Sequence, residues 1–122
     1  MPHKLQAIFH DLLTAIAEVD AFISGRTLDE LFNDRAFQLI LEREFEIIGV
    51  ALYRIRNMDA DMFRKIPSGS QIIAMRNILG HGYDRVDYEI IWDAATHELE
   101  PLKRLIESIR VEDLRPEDCD IS

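Results

Sequence analysis

The segment from Arg76 to Tyr83, RNILGHGY, brings four chemically useful side chains close together in the sequence. A permanent cation, an amide, an imidazole and a phenol fall within eight residues. A histidine titrates near neutral pH and can act as a general acid or base towards a ribose 2′-hydroxyl group. An arginine can hold a phosphate through two hydrogen bonds while negative charge develops on it. These residue types therefore suit cleavage of RNA without a metal ion.

The helical spacing of this segment indicates which side chains can act together. On an ideal helix, Asn77 and His81 lie one turn apart on the same face, with Arg76 at the edge of that face. Met75 and Leu79 lie on the opposite side, and we expect them to face the core. The polar residues should then point away from the core, and the glycines on either side of the histidine leave room for a bulky partner.

These residues also have a simpler interpretation. A histidine at the end of a helix beside an arginine commonly lies on a solvated surface or complements the dipole of the helix C-terminus. A tyrosine just beyond a helix end commonly packs its ring at an interface and bonds its hydroxyl locally. The spacing alone leaves the catalytic and the structural interpretations of Arg76, His81 and Tyr83 both open.

The order of these residues resembles a known signature. Arginine, four residues, histidine, one residue and tyrosine is similar to the motif of the HEPN superfamily and, more closely, of its HepT toxin branch. The segment Phe45 to Leu52, FEIIGVAL, resembles the motif of the family's second helix. Trp92 and the element Leu99 to Leu102 also stand where the family has an apolar stretch and its last helix. The resemblance covers roughly residues 5–109, with one departure, since Val50 stands where many relatives have a glutamate.

The resemblance implies a fold, an activity and a partner. Proteins of this branch are helical bundles that dimerise and place their arginine and histidine motifs at a shared cleft. Active members are metal-independent endoribonuclease toxins, and a minimal nucleotidyltransferase antitoxin neutralises them by transferring AMP to the motif tyrosine. The resemblance therefore implies that Arg76 and His81 are catalytic and that Asn77 supports them. It also implies that Tyr83 is the adenylylated residue.

We predict an endoribonuclease toxin that leaves a 2′,3′-cyclic phosphate on its RNA product, with transfer RNA as a candidate target. A homodimer is expected because Arg76 and His81 lie about 140° apart on an ideal helix and do not easily converge on one phosphate, whereas two facing copies can. The alternative is a non-catalytic partner subunit of a nucleotidyltransferase that presents a substrate or only its own Tyr83. A plain interaction bundle is the third hypothesis.

The spacing of apolar residues predicts the elements that must position this motif. Apolar residues recur every three or four positions, which predicts an all-α fold: an antiparallel bundle of four main helices with one or two short extra helical turns. The main helices are expected at about residues 3–24, from Asn33 or Asp34 to 57, 70–81 and 87–110. A short connector turn is expected in DMFRK, before the third helix.

Residues with known capping and breaking preferences set the predicted ends of these helices. Gly25 should stop the first helix, and Thr27 with Glu30 reads as a capping box for a short turn. Asp87 is expected to cap the fourth helix. Pro101 lies inside that helix and should kink it, because it cannot bond to the carbonyl four residues earlier.

The composition fits one folded domain with an acidic tail. The chain has 122 residues and a net charge of −9, and we expect a helical domain over residues 1–110 and a tail over 111–122. The charge argues against broad nucleic-acid binding, but residues 51–85 carry six basic and three acidic residues. The N-terminus does not resemble a secretory signal, no membrane span is expected, and one cysteine, Cys119, cannot form an internal disulfide. The cytoplasm is the expected location.

Other candidate sites are weaker, and no cofactor or metal site is predicted. Asp93 and His97 lie four residues apart and could share a metal, but a third ligand is missing and an ion pair is the more common arrangement. Glu42 and Glu46 suggest an ordinary amphipathic helix. Cys119 lies among acidic residues that discourage thiolate formation.

Overall fold

The structure, a computed structural model, describes the backbone of residues 2–80 and 86–113 and the side chains of residues 4–75 and 86–109. All the regular structure in these residues is helical, so the prediction of an all-α fold is confirmed. The elements are α1 (Pro2–Ile23), α2 (Leu28–Asn33), α3 (Arg35–Met58), α4 (Ala60–Lys65), α5 (Gly69–Gly80), α6 (Tyr88–Asp93), a π-helical turn (Ala94–Glu98) and α7 (Leu99–Asp113).

The first helix ends where the sequence predicts. Gly25 has a φ of 74°, a left-handed conformation that glycine adopts without steric conflict. The backbone N–H of Arg26 then donates to the carbonyl of Ile23 at 3.0 Å. This turn satisfies part of the open carbonyl end of α1 and leads the chain into α2.

Short polar side chains cap the next two helices. The hydroxyl of Thr27 accepts the backbone N–H of Glu30 at 3.2 Å, which confirms the predicted start of α2. The sequence left two residues open as the cap of α3, and the structure selects Asp34, whose Oδ1 accepts the N–H of Phe37 at 3.1 Å. Asn33 is instead the last residue of α2. The predicted connector turn is also helical, as α4, with Asp59 as its cap.

The core lies around α3, which packs against α1, α2, α4, α5 and α6, while α7 packs against α1. Each main helix buries one apolar face, as its spacing predicts. The fully buried side chains include Phe9, Leu12 and Ile16 of α1, Phe45, Ile48, Leu52 and Ile55 of α3, Ile72 of α5, and Leu102 and Ile106 of α7. Because α3 touches most of the other helices, it is the element that places α5 and α6 relative to each other.

A kink was predicted at Pro101, and the structure has a π-helical turn that ends at Glu98, three residues before the proline. The backbone N–H of Leu99 donates to the carbonyl of Ala94, five residues earlier, instead of four. Pro101 has no N–H and cannot complete an ordinary helical bond to the carbonyl of His97. The wider turn keeps the chain helical through this position, so α6, the π turn and α7 follow one another without a loop.

Two predicted boundaries fall close to the limits of the described residues. Helix α7 continues to Asp113, three residues beyond the predicted end of the domain at 110. Residues 114–122, which include Cys119, lie outside the described residues. The antiparallel order of the four main helices and the dimer stay predictions.

Candidate functional site

The structure places the first part of the RNILGHGY motif on a helix. The backbones of Arg76 and Asn77 belong to α5, as predicted. Their side chains lie outside the described residues, and so do His81 and Tyr83 as a whole. The structure therefore shows which elements lead into and out of the motif.

The start of α5 is held closely against α4. A Cβ atom built on Gly69, the first residue of α5, would lie 2.9 Å from Cε1 of Phe63, which is closer than side chains normally approach. Glycine at this position lets the two elements meet. Ile72 and Met75 are buried, which confirms the predicted core face of α5 as far as Met75. Leu79, the third predicted core residue, lies outside the described side chains.

The start of α6 is fixed by a cap and by a contact to α3. Oδ1 of Asp87 accepts the backbone N–H groups of Glu89 at 3.0 Å and Ile90 at 3.3 Å, which confirms the predicted cap. The next residue, Tyr88, donates its hydroxyl to Oε2 of Glu42 on α3 at 2.5 Å. Residues 81–85 therefore connect two helices whose positions are both set by α3.

A polar cluster of Arg35, Glu42 and Tyr88 forms this contact. Nη1 of Arg35 donates to the Tyr88 hydroxyl at 3.2 Å and lies 3.4 Å from Oε2 of Glu42. Burial and the neighbouring carboxylate raise the pKa of Tyr88, and the arginine opposes this effect. Sequence reasoning missed the cluster, because Glu42 and Tyr88 are 46 positions apart and each looks ordinary on its own helix.

A buried carboxyl group on α3 was also missed. Glu44 is 8% exposed, and its Oε1 has no hydrogen-bond partner. Loss of hydration, together with the neighbouring carboxyl group of Glu18 on α1, raises the pKa of Glu44 to about 7, against the opposing effect of Arg43. A signal was present in the sequence, since Glu44 stands three residues after Leu41 and four before Ile48, on the apolar face of α3.

Among the weaker candidates, Asp93, His97 and Glu46 behave as surface residues, Glu42 belongs to the polar cluster described above, and Cys119 lies outside the described residues. Nδ1 of His97 lies 3.1 Å from Oδ1 of Asp93, and both side chains are exposed, which agrees with the ion-pair interpretation. Glu46 accepts from Nη1 of Arg43 at 3.3 Å. Within the described residues, no group of three histidine, cysteine, aspartate or glutamate side chains is placed to hold a metal ion.

Comparison with known proteins shows the family. The family described as Ribonuclease HepT-like matches residues 12–109, so this chain belongs to the HepT-like ribonuclease family. The predicted resemblance to the HepT branch of the HEPN superfamily is thereby confirmed. Membership in a ribonuclease family supports RNA cleavage as the activity.

Individual relatives agree with this assignment. The chain is 31% identical to "Putative RNase MJ0127" of Methanocaldococcus jannaschii, over 97% of each chain. It is 28% identical to "Probable ribonuclease HepT" of Thermococcus cleftensis, over 82% of this chain and 90% of that protein. No solved structure matches the chain. In the described part of the chain, the helices are too short or too polar to cross a membrane.

Proposed function

We propose that this protein is a metal-independent endoribonuclease toxin of a toxin–antitoxin system. The observation that carries the proposal is the RNILGHGY motif, which begins on α5 and lies within the residues that match the ribonuclease family. The names of its relatives support RNA as the substrate class. We place its action in the cytoplasm, where RNA substrates such as transfer RNA are found.

The motif supplies the groups that transfer of an RNA phosphodiester needs. In the proposed reaction, the 2′-oxygen of a ribose attacks the adjacent phosphorus atom and loses its proton, and the bond from phosphorus to the 5′-oxygen breaks. The 5′-oxygen takes up a proton, so the products are a 2′,3′-cyclic phosphate and a 5′-hydroxyl. His81 moves one of these protons, Arg76 holds the phosphoryl oxygens, and Asn77 orients the histidine or donates to the phosphate.

Two copies of the chain form the proposed cleft. One arginine and one histidine about 140° apart on an ideal helix do not easily reach the same phosphate. In a homodimer, Arg76 of one copy and His81 of the other can face it together. A mass in solution that stays monomeric at every protein concentration would contradict this arrangement.

The proposed regulation acts on Tyr83. Its phenolic oxygen attacks the α-phosphorus of ATP on a minimal nucleotidyltransferase antitoxin, pyrophosphate leaves, and AMP remains on the tyrosine. The added nucleotide carries negative charge and bulk two residues from His81, where it blocks an RNA phosphate by repulsion and by filling the site.

The first test is ribonuclease activity of the purified protein in EDTA. We expect cleavage by the wild-type chain and loss of activity in both Arg76→Ala and His81→Ala. Arg104→Ala and His97→Ala are matched controls, since both residues are exposed and lie on the last helical run of the chain. Activity that requires a metal ion, or that survives both motif substitutions, would refute the proposal.

The second test is the intact mass of the protein after incubation with the nucleotidyltransferase and ATP. An increase in mass that corresponds to one or more AMP groups supports the toxin–antitoxin system, provided that Tyr83→Phe abolishes it. A tight complex with neither modification nor ribonuclease activity supports the alternative, a non-catalytic subunit of the nucleotidyltransferase. If the motif substitutions change nothing beyond stability, the chain is a plain interaction bundle.

A further inference from the structure

An exposed aromatic ring and an arginine lie together where α3 meets α4. Tyr53 of α3 is 43% exposed. The guanidinium carbon of Arg56 lies 5.1 Å from the centre of the Tyr53 ring and 5.8 Å from the centre of the Phe63 ring. Phe63 belongs to α4 and is buried. Arg56 therefore rests between a buried ring and an exposed ring, and we call Tyr53 and Arg56 the Tyr53 surface.

The charge around the Tyr53 surface is positive. In the described part of the chain, the two acidic residues that next follow Arg56 are engaged, because Asp59 accepts the N–H of Met62 at the cap of α4 and Asp61 pairs with Arg64. Among the described residues, no carboxylate lies within ion-pair distance of Arg54, Arg56 or Lys65. The ends of α3 and α4 therefore form a positively charged region on a chain whose net charge is −9.

Other grooves in the described part of the chain are less suited to an anionic partner. A groove of about 200 Å³ between α1 and α3 is lined by two carboxylates, Asp11 and Glu46, and by two arginines, Arg43 and Arg54, and Glu46 accepts from Arg43. A second groove beside the exposed ring of Phe32 is lined by Asp87 and Glu89. The carboxylates weaken the attraction of phosphate groups to both grooves, whereas the Tyr53 surface combines an exposed ring with an arginine that forms no ion pair with any described carboxylate.

The Tyr53 surface is also connected to the helix that carries the motif. Phe63, which Arg56 covers, is the side chain that Gly69 approaches at the start of α5. Arg76 lies seven residues further along α5, a rise of about 10 Å along the helix axis. The Tyr53 surface therefore lies beside the start of the helix that carries the motif.

We propose that the Tyr53 surface binds an unpaired segment of the RNA substrate next to the cleaved bond, an inference that rests on the proposed ribonuclease function. The ring of Tyr53 stacks on one base, and Arg56 contacts a neighbouring phosphate. Bases must be unstacked from a duplex to lie on a side chain, so the recognised segment is single-stranded. Stacking on an aromatic ring tolerates any base, so this contact sets position along the strand and leaves the base sequence unread.

Binding to an RNA analogue tests the proposal separately from cleavage. The probe is a fluorescently labelled single-stranded oligonucleotide with 2′-O-methyl groups, which lacks the attacking hydroxyl, measured by anisotropy against the full chain at several salt concentrations. We expect the Kd to rise about tenfold in Tyr53→Ala and to change little in Tyr53→Phe. The slope of the logarithm of the association constant against the logarithm of the salt concentration is negative, and in Arg56→Ala it should become less steep by about 0.7. In Tyr53→Ala this slope should equal that of the wild type.

Arg104→Ala is the matched control for charge. Arg104 is an exposed arginine on α7 that pairs with Glu100, so its removal changes the net charge equally without touching the Tyr53 surface. Arg104→Ala should bind the RNA analogue with the wild-type Kd. Adding Tyr53→Ala to Arg104→Ala should raise the Kd by the same factor as Tyr53→Ala does in the wild-type chain. Thermal melting by circular dichroism shows that each variant is folded.

The outcomes separate this inference from the proposed function. Cleavage by the wild type, with a raised KM and an unchanged kcat in Tyr53→Ala, supports both. Cleavage with wild-type binding in Tyr53→Ala and Arg56→Ala overturns the inference and leaves the function standing. Tyr53-dependent binding without cleavage overturns the proposed function and leaves the Tyr53 surface as a site that binds single-stranded RNA. Conversion of a dimer into a monomer by Tyr53→Ala, with no loss of RNA affinity by the monomer, identifies a protein interface and overturns the inference.

Discussion

Replacing the buried Glu44 with glutamine should remove a pH dependence from the stability of the protein. The carboxyl group of Glu44 faces Glu18 of α1, and one of its oxygens has no hydrogen-bond partner. Burial is the largest cause of its raised pKa, and the neighbouring carboxyl group of Glu18 adds to it. Glutamine has nearly the same shape and no charge, so it isolates the effect of ionisation.

The size and sign of the effect follow from the two pKa values of Glu44. In the unfolded chain the group titrates near 4.5, and in the folded chain it titrates near 7. Between these values the folded state keeps a proton that the unfolded state has lost, so the free energy of unfolding falls as the pH rises. One pKa unit corresponds to about 1.4 kcal/mol, and the whole difference therefore amounts to about 3 kcal/mol. This stabilisation is complete below pH 4.5 and is lost once the pH has risen through 7.

The measurement is urea unfolding of the wild type and Glu44→Gln across this pH range. Histidines and other groups contribute to both curves, so the difference between the curves reports Glu44 alone. We expect the two proteins to be similar at pH 4.5, and the glutamine variant to be more stable by about 3 kcal/mol above about pH 8. In Glu18→Gln the pKa of Glu44 should fall without reaching 4.5, because burial remains, and the loss of stability should be smaller.

Glu46→Gln is the control, because Glu46 lies on the same helix but is exposed and pairs with Arg43. Its curve should run parallel to that of the wild type. If the curve of Glu44→Gln also ran parallel to the wild type, the burial of the Glu44 carboxyl would have no energetic consequence and the reasoning would be wrong. The reasoning would also be wrong if Glu44→Gln were less stable than the wild type at high pH.

Three further substitutions test individual contacts by urea unfolding at neutral pH. Gly25→Ala should lose about 1 kcal/mol, since φ is 74° and the added Cβ meets open space; an unchanged stability would contradict a left-handed turn. Gly69→Ala should lose about 1–3 kcal/mol, because the Cβ would crowd Phe63, and Phe63→Leu in the same chain should recover part of that loss. Tyr88→Phe should lose about 1–3 kcal/mol with its bond to Glu42, and the loss should be smaller when Glu42 is already alanine, because only the bond from Arg35 then remains to be lost.

Local features of the fold could be predicted from the sequence because each depends on only a few neighbouring residues. Gly25 ends α1 through its own φ angle, and Thr27 and Asp87 cap helices through N–H groups two or three residues away. The choice between Asn33 and Asp34 was open because both residue types cap helices well. The structure resolves it through Asp34, whose side chain reaches Phe37.

Features that depend on contact between distant helices could not be predicted in the same way. The hydrogen bond of Tyr88 to Glu42 requires the register of α6 on α3, which no local pattern contains. The neighbour of Glu44 on α1 likewise depends on how the two helices lie against each other. The position of Glu44 on the apolar face of α3, by contrast, could be predicted from the sequence. Pro101 predicted a kink in the last helix, but no local pattern indicated the π turn that the structure has at Ala94–Glu98.

The motif and the charge of the chain are connected through α3 and α4. Residue types and order identified the family, yet RNA cleavage by a chain with a net charge of −9 requires a local site where phosphates are attracted. The sequence showed only that residues 51–85 are net basic. The structure adds that Asp59 and Asp61 are engaged within α4, and that Arg56 stacks between Tyr53 and Phe63. Positive charge is thus concentrated beside the start of α5, and in the proposed function the acidic remainder of the chain disfavours RNA binding elsewhere.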